Sequence, residues 1–525
     1  MERIRNFLWP RSAAEYIDLV EQPVEDPTAI IWKTDEVGEY VDICGSLIEV
    51  NEFNEEFQEL IEKPVEKNNK LSTMKRRFGN LVLCPYAALD FHNESLRYAE
   101  IGSIHVALAY ANRASCFFEL ELYDQMAVNI VLATSDETFP KYLLPKIMEL
   151  KKTADSIKKN VGQEETYEEA FAAWVKRAIG REPQLSYLAS KKHPCLADVV
   201  EIKESAQYGR YIVSKYELPA DQIILIEEYY LNAADVKKLR SCATCSKEDN
   251  NFIACEHCTG AMFCDKTCQN RNELHKWECN TFITSIYNRA RTIIYSILLA
   301  IEAYTENGRI NVNELMEYVK EMLDKRKNGT DKLPESTLDS KSKYQFFLKL
   351  AICDLQSELK ETFTSLIYVT FSLLMSVPKI EAAFKSEKER NFLMHLIGHH
   401  ILVISTNAFG DEDKLSLGLI ESLFNHSCKP NIDRKQFLNK QYYFIANKVG
   451  KGVQLFISYL NTEALKTSST NRRQILFRGF GFICNCIICA PKVPTIFDKC
   501  NRKVFNILVN RFCTQEEINE IHELL

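Results

Sequence analysis

Between Cys242 and Cys279 the chain reads CATCSKEDNNFIACEHCTGAMFCDKTCQNRNELHKWEC, and no other stretch so restricts what can form. Its candidate metal ligands are Cys242, Cys245, Cys255, Cys258, Cys264, Cys268, His275 and Cys279, spaced C-x2-C-x9-C-x2-C-x5-C-x3-C-x6-H-x3-C. A C-x-x-C pair binds because a tight turn aims both sulfurs at one ion, and a structural zinc takes four ligands. Eight ligands therefore supply two closed sites, and metal binding and folding of this module are linked.

A second thiol cluster lies in GFGFICNCIIC, residues 479–489, where Cys484, Cys486 and Cys489 are spaced C-x-C-x-x-C. Three thiols leave one ligand short. Cys428, in SLFNHSCKPN (422–431), is the candidate fourth, and would staple the C-terminal segment onto the strand region upstream. The chain holds 18 cysteines, a number that would suggest disulfides in a secreted protein. The opening MERIRNFLWPRSAAEYIDLV lacks the sustained apolar core of a secretion signal, and most cysteines fall in metal spacings. Zinc in a reducing nucleus or cytoplasm is the expectation. Cys44, Cys84, Cys116, Cys195, Cys353, Cys500 and Cys513 show no metal spacing and read as small apolar residues.

Charge limits the partners. The chain carries net charge -7. The 242–279 module has Lys247, Lys266, Arg271 and Lys276 against Glu248, Asp249, Glu256, Asp265, Glu273 and Glu278. Seven thiolates with two zinc ions leave it anionic, the wrong sign for phosphate, so nucleic acid is not the expected partner. The longest uncharged run, TFTSLIYVTFSLLMSVP (362–378), is short for a bilayer and carries several hydroxyls, so it reads as a buried helix.

Around these clusters the pattern changes along the chain. Residues 1–80 are mixed and polar, with a helical fragment EFNEEFQELIEK and a polar linker or loop, KPVEKNNKLSTMKRR (63–77). Lys75, Arg76 and Arg77 make a solvated basic turn or a nuclear signal. Residues 86–160 are helical, and 138–152 start a further helix. Residues 207–228 alternate β-formers about a turn at Leu218–Asp221 and read as two strands. Residues 280–400 are mostly helical, with a polar loop at 325–343, and 401–460 return to short strands.

Three family resemblances follow from these residues. YANRASCFFELELYDQMA (110–127) places Asn112, Ala114, Leu120, Tyr123 and Ala127 where a tetratricopeptide (TPR) helix–turn–helix has its small and apolar contacts. The eight-ligand run resembles the MYND finger, in which sites interleave. That implies one zinc on Cys242, Cys245, Cys264 and Cys268, and another on Cys255, Cys258, His275 and Cys279. The ordered set of strands, MYND insertion, helical insert, NHSC, ISYL (457–460) and C-x-C-x-x-C resembles the SET-and-MYND-domain methyltransferases, in the subgroup with TPR-like repeats. In that fold Cys428, Cys484, Cys486 and Cys489 share a third zinc.

The resemblance implies an α+β multidomain protein: a β-rich split SET core with an inserted MYND zinc finger and helical segments, behind an N-terminal α-helical TPR-like region. The divisions are 1–80 (N-terminal), 81–180 (TPR-like), 185–240 (first part of SET), 242–279 (MYND), 280–400 (helical insert), 401–482 (SET core), 483–495 (post-SET zinc segment) and 496–525 (short helical tail). It implies methyl transfer from S-adenosylmethionine to the lysine of a protein, histone or non-histone, with a role in transcriptional regulation. Tyr208, Gly209, Arg210, Asn407, Asn425, His426, Tyr459 and Phe482 fall on cofactor positions, and Tyr459 and Phe480 on the transfer channel. Proline-rich peptides or corepressors are the partners implied for MYND, with a monomeric chain and no membrane.

Two departures set up the alternative. The family's G-x-G keeps only its first glycine in Tyr208-Gly209-Arg210-Tyr211, and Tyr211 either crowds the pocket or points outward. A tyrosine of the family's Y-x-F-x-C-x-C run is replaced here by Phe480, which keeps the channel wall and loses a hydroxyl. A catalytically weak SET scaffold, recruiting partners through its MYND and TPR-like parts, is the competing expectation.

Overall fold

The computed structural model describes residues 66–160, 183–232, 241–247, 251–281, 283, 288–352, 360–410, 415–437 and 439–490. The fragment EFNEEFQELIEK, the tail 496–525 and the end of the 483–495 segment lie outside these residues. The chain forms two compact units: one runs to Asn425 and includes Asn431–Ile457, and the other holds His426–Pro430 and everything from Ser458.

Among the described residues the first unit opens with the helices α1 (Asn69–Leu81), α2 (Pro85–Tyr98), α3 (Ile104–Glu119), α4 (Tyr123–Thr134) and α5 (Leu144–Asn160). The helix–turn–helix expected at 110–127 is α3 and α4. The polar linker expected at 63–77 is instead largely helix α1, and the division at 80/81 falls within it. Asn68 starts this helix by accepting the N–H groups of Lys70 and Leu71 at 2.9 and 3.1 Å, a capping role suited to asparagine. Its contact face is small rather than apolar. Ser72 donates to Ser95 O at 2.8 Å, and Gly79 lies so close to α2 that a Cβ there would meet the His92 ring at 2.6 Å. Lys75 pairs with Glu94 at 2.7 Å and is no free basic turn.

Strands follow. β1 (Val200–Ser205) pairs antiparallel with β2 (Gly209–Ser214), and Gly209 enters β2 at φ +59°, where glycine is favoured. β3 (Ile223–Glu228) pairs with Lys440–Ile445, whose other neighbour is Ile432–Phe437. The two strands expected in 207–228 are therefore β2 and β3, in separate sheets; β1 carries a broken alternation, VEIKES, and was not anticipated.

The 280–400 region packs helices Asn288–Ala303, Val312–Lys327, Ser340–Leu348, Lys360–Met375 and Glu387–Asn407. Helix persists to Asn407, past the expected boundary at 400, and the polar loop at 325–343 is helical at both ends. Ile294, Leu298, Leu315, Phe347, Leu374 and Ile397 are fully buried there. His400 is held inside by Ser296 Oγ at 2.8 Å and Tyr344 Oη at 3.1 Å, so the buried imidazole has both nitrogens engaged. The uncharged run 362–378 lies mainly in Lys360–Met375, and no helix among the described residues is long and apolar enough to cross a membrane.

In the second unit, helix Ser469–Phe480 is capped by Ser468 and ends at Gly481, φ +72°. Its Leu476 is fully buried with Leu460, Cys428, Cys484 and Cys489. None of the described cysteines forms a disulfide; Cys116 is buried as expected of a small apolar residue, whereas Cys84, in the turn before α2, is exposed.

Candidate functional site

The structure gathers the twelve candidate ligands into three groups of four: Cys242, Cys245, Cys264 and Cys268; Cys255, Cys258, His275 and Cys279; and Cys428, Cys484, Cys486 and Cys489. In each group the ligand atoms all lie within 4.8 Å of one another. The first two groups interleave along the chain. Four-thiol and three-thiol, one-imidazole sets at this spacing fit zinc.

Local structure aims these groups. The strand pair Ile253–Ala254 and Met262–Phe263 sets Cys255 and Cys264 at its ends. Asp265 caps the helix Lys266–Arg271 by accepting Cys268 N–H at 2.8 Å. His275 Nε2 lies 3.2 Å from Cys255 Sγ and 3.6 Å from Cys258 Sγ, while Nδ1 faces Glu278 Oε1 at 3.1 Å. A carboxylate on Nδ1 holds the proton there and leaves Nε2 for the metal. Burial by itself raises the Glu278 carboxyl. The Arg291 guanidinium, donating at 2.7 and 2.9 Å, and the bond to His275 outweigh it and hold the group below its ordinary value.

Sequence reasoning missed what this module rests on. Arg113 of α3, fully buried, donates to Phe252 O and Asn251 Oδ1, each at 2.5 Å, and Asn129 of α4 donates to the same Asn251 oxygen at 2.8 Å. Phe252, Ile253 and Phe263 share one core with Ala107, Phe117 and Ile130. An arginine within a helical run carries no local signal that its partner lies beyond residue 250.

The residues expected at the cofactor divide between the units. In the first, Asn425 Nδ2 donates to Tyr208 O at 3.0 Å. Tyr208 and Tyr211 pack edge to face, with ring centroids 5.8 Å apart, and Arg210 stands opposite Glu204 across β1 and β2. Asn407 ends the helix Glu387–Asn407, and its amide nitrogen donates to Ala351 O at 2.7 Å and Val403 O at 2.8 Å. Its two amide hydrogens are spent on the chain's own carbonyls, so only Oδ1 remains for a ligand.

In the second unit, His426, Tyr459, Phe480 and Phe482 form one aromatic cluster. Tyr459 lies 4.7 Å from Phe480, 5.4 Å from His426 and 6.2 Å from Phe482, centroid to centroid. Such ring faces favour a cation. His426 Nδ1 accepts Tyr459 N–H at 2.9 Å, and Nε2 lies 3.3 Å from Cys428 Sγ. Burial, with Arg472 nearby, lowers the imidazole to about 4, so it is neutral and its Nδ1 is free to accept. Arg473, also unforeseen, donates to Cys484 O at 2.9 Å and Cys489 O at 2.6 Å, tying the thiol loop to the helix that ends at Phe480.

Mixed helix and sheet, three zinc-type ligand groups, and a thiol loop closing on NHSC beside an aromatic cluster define a protein of the SET class. The family model described as SET domain matches residues 28–460, and the chain belongs to that family. It is similar to protein-lysine N-methyltransferase SMYD4 of Danio rerio, 22% identical over 41% of this chain and 30% of that protein. It is also similar to a SET and MYND domain-containing protein of Dictyostelium discoideum, 25% identical over 54% of this chain and 58% of that one. Histone-lysine N-methyltransferase SET5 of Yarrowia lipolytica is 23% identical over 56% and 64%. The chain thus spans less than two thirds of the length of each of these relatives. Among solved structures, the SET domain of LSMT bound to lysine and AdoHcy aligns over 60% of this chain and 56% of that one, at 13% identity and a TM-score of 0.29.

Proposed function

We propose that this chain is an S-adenosylmethionine-dependent protein-lysine N-methyltransferase of the SET-and-MYND type, holding three zinc ions and residing in nucleus or cytoplasm. The observation that carries the reading is the cluster of His426, Tyr459, Phe480 and Phe482 beside the thiol group of Cys428. The cofactor would supply an electrophilic methyl on a sulfonium, a cation that aromatic faces favour. The chain's own work is positional. Asn425 and His426 would hold the cofactor, and Tyr459 and Phe480 would wall a channel whose apolar surroundings favour the neutral lysine amine that attacks.

Zinc-loaded protein incubated with methyl-labelled cofactor and a protein mixture tests this. Label transferred to a protein, and abolished by Tyr459→Phe, supports it; transfer that survives this substitution removes the assigned role.

A second reading has its own observation. A groove of about 580 Å³ runs along α1, lined by Lys70, Met74, Arg77, Phe78, Leu81 and His105. Among the described residues its lining is cationic, polar and apolar, which suits an acidic, apolar peptide such as a TPR-like scaffold would bind, while the MYND-like module would take proline-rich peptides or corepressors. Partners captured from extract that persist in Tyr459→Phe and vanish in Arg77→Glu would favour recruitment through α1.

A further inference from the structure

Two carboxyl groups sit in the first unit's interior without a role in the reading above. Glu227, on β3, accepts Ile420 N–H at 2.8 Å through one oxygen and Glu421 N–H at 2.7 Å through the other. Glu421 is fully buried; its Oε1 accepts the Tyr443 hydroxyl at 2.8 Å, and its Oε2 has no hydrogen-bond partner among the described residues. Gly418 separates the two: a Cβ there would fall 2.6 Å from Glu227 Oε2 and 2.9 Å from Glu421 Oε2. The free oxygen of Glu421 and the second oxygen of Glu227 thus flank one point beside the Gly418 backbone and lie no more than about 5.5 Å apart, a span that one bridging water closes.

We infer that Glu227 and Glu421 share a single proton, carried on Glu421 Oε2, and that this acid pair clamps the turn 418–424 that delivers Asn425. Glu227, with both oxygens on backbone N–H groups, is the carboxylate. A proton on Glu421 Oε2 turns an unsatisfied acceptor facing a like charge into a donor. Two negative charges so close in the interior are costly, and one neutral acid removes the conflict. The groups facing the pair are Arg434, 3.9 Å from Glu421, Tyr443 on the strand Lys440–Ile445, Tyr229 after β3, and Cys195. A single guanidinium at that distance is too little to neutralise both. Burial raises each carboxyl to about 7.

The clamp acts on the proposed cofactor residue Asn425 through the backbone, so its functional side rests on the methyltransferase reading; its proton does not. A folded-state pKa above the unfolded value makes the bound proton stabilising below about 5, with stability lost as pH rises through 7. Unfolding midpoints from pH 5 to 8.5 on zinc-loaded wild type and Glu421→Gln test the pair. Wild type should lose stability over that window, its folding constant falling by at most about tenfold per pH unit, the slope of one proton. Glu421→Gln should show less of that loss and be the more stable of the two at pH 8. Equal slopes would overturn the inference. Infrared difference spectra of wild type between pH 5.5 and 8.5 need no variant: a protonated-carboxyl band lost on raising pH supports the pair, and its absence rejects it. Cofactor binding measured on the same samples separates the two readings. Wild type without cofactor affinity but with the proton signature would sink the methyltransferase reading and leave the acid pair standing.

Discussion

His426 Nδ1 accepts the backbone N–H of Tyr459 at 2.9 Å, so the histidine of NHSC holds the tyrosine of ISYL by the main chain. The same ring presents Nε2 to Cys428 Sγ at 3.3 Å. One neutral imidazole thereby joins an aromatic wall to a thiol ligand. His426→Ala takes the imidazole acceptor away from the partly buried Tyr459 N–H, which costs about 1–3 kcal/mol. His426→Asn, whose oxygen can stand where Nδ1 stood, should recover part of that loss. Denaturant unfolding of the three proteins checks the order.

Metal content is the next expectation. Elemental analysis should find three zinc ions per chain, one for each ligand group, and two would break the assignment at Cys428. Glu278→Gln keeps the shape but removes the charge that fixes His275 and pairs with Arg291. Zinc affinity at the site of Cys255, Cys258, His275 and Cys279 should fall by about 10–100-fold, read by chelator competition.

Phe480 supplies a ring and no hydroxyl 4.7 Å from Tyr459. Under the methyltransferase reading, Phe480→Tyr should raise kcat by an order of magnitude or more, since one positioned polar group contributes about 100–1000-fold in comparable sites. An unchanged kcat in the labelled-methyl assay would show that the missing hydroxyl is not what limits turnover.

Arg113 spends its charge on a carbonyl and an amide of the 242–279 module. Arg113→Met retains bulk and loses both bonds, each worth about 1.5–3 kcal/mol when one partner is charged. Thermal unfolding should show that loss, and proteolysis should open 242–279 even with zinc bound. Resistance of the module to protease would mean it stands without α3.

At Gly79 the close approach to His92 predicts that Ala fits poorly. The added carbon meets the ring at 2.6 Å, and forcing it in costs about 1–3 kcal/mol. An exposed glycine in the same helix would gain from Ala, so the sign of the stability change tests whether α1 packs as described.

The C-x-x-C pairs were legible in the chain because their contact is local: a tight turn brings two sulfurs together, and eight ligands in one run make two sets of four. Which ligands group together, and that Cys428 joins Cys484, Cys486 and Cys489, came from the family resemblance, and the structure brings those sets together. The helices α3 and α4 were legible through their alanine and aromatic contacts. Helix α1 was not, because its contact face is Ser72 and Gly79 rather than an apolar stripe, and polarity there read as a linker. Tertiary structure alone decided that β2 and β3 pair with different partners, that Arg113 reaches Phe252, and that Glu227 meets Glu421. Those contacts join residues far apart in the chain, and what brings them together is burial, which acts on the whole fold and leaves no mark in any single stretch.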